Sequence, residues 1–321
     1  MKSANKFFFL CPGILLLLTA GFLIAAHSVV FDRLLLLIQR NLSPDQNLSS
    51  FTQWRFDWFL YYLAAVCGMF GTVFLICKNP DFRNKIVRMF QTNGSRRLSP
   101  NIHNPIFQLL FSTVLGIALT VLFILFYTRR AEFLIPLFVE DGVFETLSAI
   151  VFAFAAYLFG KTFVTSKRTD WLSSSNANWI RWLFAGLTLI FFFVAMEEIS
   201  WGQRILGWQT PSFLSSANQQ GETSVHNIES LSLVFDLLYI LPAFVLPIVM
   251  VATFIFHLQK RTKFWLNLLL PYPSLSPLAF LLGAVALTMQ GELFEELTAL
   301  FALLYALRVE KTVSRFASQR V

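Results

Sequence analysis

Long stretches without charge set the pattern of this chain. Residues 7 to 31, 57 to 77, 106 to 128, 142 to 165, 180 to 201 and 231 to 258 are apolar or nearly so. Each is long enough to cross ~30 Å of hydrocarbon at about 1.5 Å per helical residue. Two more runs, 274 to 290 and 291 to 309, meet at the polar junction QGELFEE, with Pro271, Pro273 and Pro277 breaking the approach to the first of them. The pattern predicts an all-α fold: a polytopic transmembrane helix bundle of about eight helices in a single integral membrane domain, residues 1–321. The first run is too long for a signal-peptide core of ~7 to 15 residues and reads as a retained helix.

Positive charge orients the bundle. Along the alternating path, 19 of the 25 Lys and Arg residues fall on one side, from Lys2 and Lys6 to Arg315 and Arg320. The other side holds Arg33, Arg40, Arg55, Arg129, Arg130 and Arg204. By the positive-inside rule the first side is cytoplasmic, which places both termini inside, in the pattern of a bacterial cytoplasmic membrane. Trp54, Trp58, Trp201 and Trp208 gather at outer ends, and Trp171, Trp179, Trp182 and Trp265 at inner ends, as an interfacial belt requires.

Composition agrees with the pattern. The chain is 56% hydrophobic, 13% charged and holds 37 phenylalanines, more apolar side chain than a soluble core of this length encloses. Its net charge of +7 does not mark a nucleic-acid binder, because the basic residues sit between apolar runs where they orient a membrane protein. The expected surroundings are lipid bilayer. Cys11, Cys67 and Cys77 all lie in or beside apolar runs, so no disulfide framework follows.

The acidic residues are placed differently. Of 18 carboxylates only Asp81, Asp170 and Glu310 fall on the inner side. Fifteen uncharged residues separate Glu145 from Lys161, fifteen separate Arg181 from Glu197, and eleven separate Glu296 from Arg308. With the cations held at the inner interface, these glutamates sit one to two turns below the outer surface, where a lipid-facing carboxylate costs several kcal/mol. Glu145, Glu197, Glu198, Glu295 and Glu296 are therefore expected to face inward and converge, with Glu292 on the same helical face as the last two. The plain alternative is solvated helix ends, with acids complementing helix N-termini. Glu197 and Glu198 do not fit it, because they end a helix where the dipole opposes negative charge. A hydroxyl follows a glutamate by three residues in ETLS (145 to 148), EEIS (197 to 200) and EELT (295 to 298), on the same face and within reach of a carboxylate. The outer loop 215 to 230 adds Glu222, His226 and Asn227, and Asp236 faces the same region.

Three functions suit this pattern. A hydrolase or transferase acting on a lipid or lipid-linked substrate would use Glu145, Glu197, Glu198, Glu295 and Glu296 as acid/base groups. His226 would serve as base and Arg204 as an anion contact. Glu145, Glu197, Glu198, Glu296 and His226 would suit a divalent metal, Mg, Mn or Zn. Without metal, adjacent buried carboxylates form an acid/base pair by driving each other's protonation apart. A cation- or proton-coupled transporter needs polar residues continuing to the inner side, and AIVFAFAAYLF and ALFALLYAL supply few. A non-catalytic assembly protein would pair these acids with Arg129, Arg130 and Arg204.

The runs EDGVFE (140 to 145), EEISWGQR (197 to 204) and GETSVHN (221 to 227) together resemble a family of uncharacterised bacterial multi-pass membrane proteins, over residues 140 to 310. That resemblance implies membership and no named activity. A lesser likeness to the CAAX-type intramembrane proteases fails on spacing. Their arginine follows the paired glutamates by four residues, whereas Arg204 follows Glu198 by six, about 200° further round a helix. Their two histidine-bearing helices are missing too, so their mechanism is not carried over.

Overall fold

The computed structural model describes residues 4–39, 48–90, 105–129, 142–167, 178–218, 221, 223–225, 228–259, 264–288 and 291–318. Among the described residues the chain is all-helical, with one isolated antiparallel bridge, Asn218 to Ile228. Numbering helices of six residues or more, these are α1 (Ala4–Ala25), α2 (His27–Gln39), α3 (Ser50–Ile76), α4 (Pro80–Phe90), α5 (Pro105–Arg129) and α6 (Val143–Ser166). They continue with α7 (Asn178–Glu198), α8 (Ser232–Gln259), α9 (Phe264–Leu269), α10 (Ser276–Thr288) and α11 (Glu292–Ser318). Among the described residues four helices, α3, α6, α7 and α8, are long and apolar enough to cross a membrane, or five if the bent pair α1–α2 is one span.

The run from 7 to 31 is not one straight helix. The chain bends by 81° between α1 and α2. No residue of α2 is buried, and His27 at the elbow stacks on Tyr61 at 4.2 Å and lies 3.3 Å from Asp57 on α3. Residues 32 to 39, which lie beyond the first uncharged run, continue this second helix.

Two apolar cores meet on α11. Leu293, Leu297, Leu300 and Leu304 face α10, while Ala299, Ala302, Ala306, Val309 and Val313 face α6 and α7. Small residues on the second face let Phe152 and Phe159 of α6 approach closely, and both are almost fully buried. Direction follows from the pairs. Ser148 bonds Glu198 at one end of α6 and Phe163 meets Trp182 near the other, so α6 and α7 are antiparallel. Lys161 pairs with Glu310 at 2.7 Å, and Glu145 and Glu295 both act on Glu198 at the opposite end, so α6 and α11 run the same way.

Short α10 is the most enclosed helix of the bundle, with Leu278, Ala279, Leu282, Ala286 and Leu287 at 2% exposure or less. It carries no charge, which is why it tolerates that position. Tyr62 of α3 donates its hydroxyl to the Phe280 carbonyl at 2.9 Å, directly over Gly283. A Cβ at Gly283 would lie 2.3 Å from that oxygen. The loop entering α10 is tied by Tyr305, whose hydroxyl donates to Leu269 O at 2.6 Å, and by Arg308, which donates to Leu270 O and stacks on Tyr272. These two groups satisfy carbonyls left open at the C-terminus of α9.

Gly283→Ala should lower the midpoint of thermal unfolding in detergent by the equivalent of about 1–3 kcal/mol, because Tyr62 must leave its bond. A midpoint equal to that of the parent protein would refute this contact.

Candidate functional site

At the end of α7 the helix stops abruptly. Ser200, Trp201 and Gly202 take φ values of +47°, +56° and +77°. Two of the three are not glycine, and the left-handed region costs an L-residue about 1–2 kcal/mol. What holds the turn is the carboxylate of Glu197, which is 6% exposed. It accepts the indole N–H of Trp201 at one oxygen and the Val225 amide at the other, 2.6 Å away. Both bonds are charge-assisted, which offsets the unfavourable position of an acid at a helix C-terminus.

The same turn aims Gln203 at the following loop. Its Oε1 accepts the Thr223 amide at 2.9 Å and the Thr223 hydroxyl at 2.7 Å. Asn218 donates to the Ser224 carbonyl at 2.6 Å, and the Glu229 amide donates to Ala217 O at 3.1 Å. The two sequence runs EEISWGQ and GETSV thus close on each other as turn and cap. Glu197, expected as a ligand or acid/base group, is the acceptor on which this cap closes.

Glu198 has a different partner. Ser148 donates to its Oε2 at 2.9 Å, and the charges it feels are those of Glu295, Glu292 and Glu145. Helices α6 and α11 therefore place Glu145 and Glu295 within electrostatic reach of Glu198 on α7. Glu295 accepts the hydroxyl of Tyr239 on α8 at 3.0 Å. Tyr239 was not singled out in the sequence, where its only signal is a hydroxyl in the apolar outer half of a span. Glu296 is 5% exposed, and its Oε1 has no hydrogen-bond partner.

Of the three hydroxyls spaced after a glutamate, Ser148 reaches a carboxylate of another helix. Thr298 bonds back to Phe294 O in its own turn at 2.7 Å, and Ser200 is held in the left-handed turn. Asp236 does not join the cluster as expected; it interacts with Arg55 on α3. Glu140, Asp141, Glu222, His226 and Asn227 lie outside the described residues, as does the side chain of Arg204. Among the described residues no three His, Cys, Asp or Glu side chains are grouped so as to hold a metal ion, so the Mg, Mn or Zn expectation finds no ligand set there.

A cavity of about 380 Å³ opens beside the acids. Glu197, Glu198, Glu295, Tyr239 and Thr298 form its polar end, and Phe152, Phe191, Phe235 and Phe294 line the rest. Three further lining residues, Ile190, Phe193 and Leu238, are 56%, 41% and 53% exposed on the outer surface of the helices. The cavity is thus reached sideways, between α7 and α8, from where acyl chains lie.

No known family, curated protein or solved structure matches the chain.

Trp201→Phe removes one of the two donors to Glu197 while keeping the ring against Phe193, which it meets edge-on at 5.4 Å. Amide hydrogen exchange at Thr223 and Val225 should then quicken at least about tenfold, the equivalent of one charge-assisted bond at ~1.5 kcal/mol. Parent-like protection would show that Glu197 does not hold the cap.

Proposed function

We propose that this chain is an eight-span protein of the bacterial cytoplasmic membrane with both termini inside, and that it is a hydrolase or transferase acting at the outer leaflet on a lipid or lipid-linked substrate. The observation that carries this reading is the sideways cavity joining Glu198 and Glu295 to bilayer-facing apolar side chains. An amphiphile sliding in between α7 and α8 keeps its chain among phenylalanines and brings its polar head to the carboxylates.

The chemistry follows from proximity. Glu198 and Glu295 act on each other across a partly dry site, so one stays protonated while its neighbour is ionised. Ser148 orients Glu198, and Tyr239 orients Glu295. The ionised member takes a proton from an attacking hydroxyl or water, and the protonated member gives one to the leaving oxygen. General acid–base catalysis of this kind contributes ~10² to 10⁴ in rate. Glu145 and Glu292 raise the local negative potential, which favours holding that shared proton. His226 and Arg204 join the site in this reading by their position in the outer loop and at the end of EEISWGQR.

A second reading has one observation in its favour. The Oε1 of Glu296, without a hydrogen-bond partner among the described residues, offers a cation one oxygen ligand, and a divalent ion held there with further ligands from outside the described residues would activate water instead. A transport path is disfavoured because the inner half of α6 and α11 is filled by Ala155, Phe159, Ala302, Ala306 and Val309, all buried.

The test uses purified protein in nanodiscs of its own membrane lipids, followed by mass spectrometry of those lipids over time. The parent should convert one lipid class, and Glu198→Gln or Glu295→Gln should slow it at least about 100-fold. A parent that converts nothing overturns the enzyme reading. Elemental analysis decides the cofactor: bound metal that falls in Glu296→Gln selects the metal version, and absence of metal selects the carboxylate pair.

A further inference from the structure

A second, larger hollow lies on the other side of α8. Between α3 and α8, over a floor of α10, runs an apolar groove of about 590 Å³. On α3 it extends from Trp58 to Met69, eleven residues or ~17 Å along a helix. That is about half of a ~30 Å hydrocarbon layer, the depth of one leaflet. It opens sideways, since Tyr61 and Ile248 on its walls are 44% and 69% exposed. Both walls are helices long and apolar enough to span a membrane.

Charge marks the top of this groove. Arg55 stands three residues above Trp58, on the face of α3 that also carries Tyr62, Val66 and Met69. It is 8% exposed and its guanidinium lies over the Phe51 ring, yet among the described residues its Nε and Nη1 find no hydrogen-bond acceptor. Buried N–H groups of an arginine left without acceptors cost free energy that a bound anion would recover. Among the described residues the charge that acts on it is that of Asp236 on α8, and the two together carry no net charge. Asp57, on another face of α3, is engaged by His27. Exposed Trp54 and Trp58 flank Arg55 and mark the interface, the depth at which lipid phosphates lie.

We propose that this groove binds one phospholipid of the outer leaflet, with its phosphate on Arg55 and one acyl chain between α3 and α8. A phosphate takes two parallel N–H bonds from a guanidinium, the geometry that arginine offers best. Because Asp236 balances Arg55, the site selects for the phosphate rather than for net negative charge. Phosphatidylethanolamine and phosphatidylglycerol should therefore be held alike, and diacylglycerol of the same chains poorly. The site is separate from the carboxylate cavity and does not depend on the activity proposed there.

The experiment is native mass spectrometry of the delipidated full chain in detergent, loaded with each of the three lipids. One phospholipid should be retained, at least about tenfold over diacylglycerol, the ratio that one charge-assisted bond supplies. Arg55→Gln should reduce phospholipid retention to the diacylglycerol level. Ala65→Trp, at an exposed position on the groove wall, should reduce retention of all three. Equal retention of diacylglycerol and phospholipid by the parent overturns the assignment of the phosphate, and undiminished retention in Ala65→Trp overturns the groove. Should Arg55→Gln fail to fold, the lipid comparison on the parent and the Ala65→Trp variant still decide the matter.

Discussion

A carboxylate taken out of water must be given donors, and Glu197 shows how much of this chain that requirement organises. Its two oxygens are met by the indole of Trp201 and by the backbone amide of Val225, which lies 28 residues further along the chain than Glu197 itself. To present the indole, the backbone turns left-handed at two residues that resist it. To present the amide, the loop before α8 folds down onto the end of α7. The neighbouring Glu198 takes its donor from Ser148 of α6, so two acids adjacent in sequence are met by different parts of the chain.

The burial of α10 sets the rest of the frame. A helix of thirteen residues reaches only ~20 Å, too little to span the hydrocarbon by itself. Enclosed by α3, α5, α8 and α11, it serves as the wedge against which longer helices lean. The two hollows flank α8, which carries Pro242 and Pro247. Each proline removes one helical hydrogen bond, and Pro242 borders one hollow while Pro247 borders the other.

Much of this was legible in the residues. Helix positions followed from uncharged runs, and the ends of α5, α6 and α8 fall within one or two residues of them. The burial of Glu197 and Glu296 is in keeping with the cost of leaving a carboxylate on the apolar face of a long uncharged run. Other features have no periodic signature. The elbow at Ala26 lies inside an unbroken apolar run with no proline or glycine at the break, and only the polar His27, Asp32 and Arg33 hint that the second half lies differently. Thr298 shares its spacing with Ser148 yet satisfies itself within its own helix, because a carbonyl one turn back is always in reach. Asp236 turned to Arg55 since an opposite charge outweighs the company of like ones. The union of EEISWGQ with GETSV joins a turn to a loop, and such contacts leave no trace in spacing.

The bundle is uneven from end to end. Around Phe159, Ala306 and Val309 the helices α6, α7 and α11 interlock without room, and Lys161 ties two of them together at that end. Toward Glu198 the same helices diverge around a hollow. Close-packed interiors deform little, so any breathing of these three helices resembles tweezers: fixed at the joint where Lys161 meets Glu310 and free at the tips, where a guest molecule would be gripped or let go.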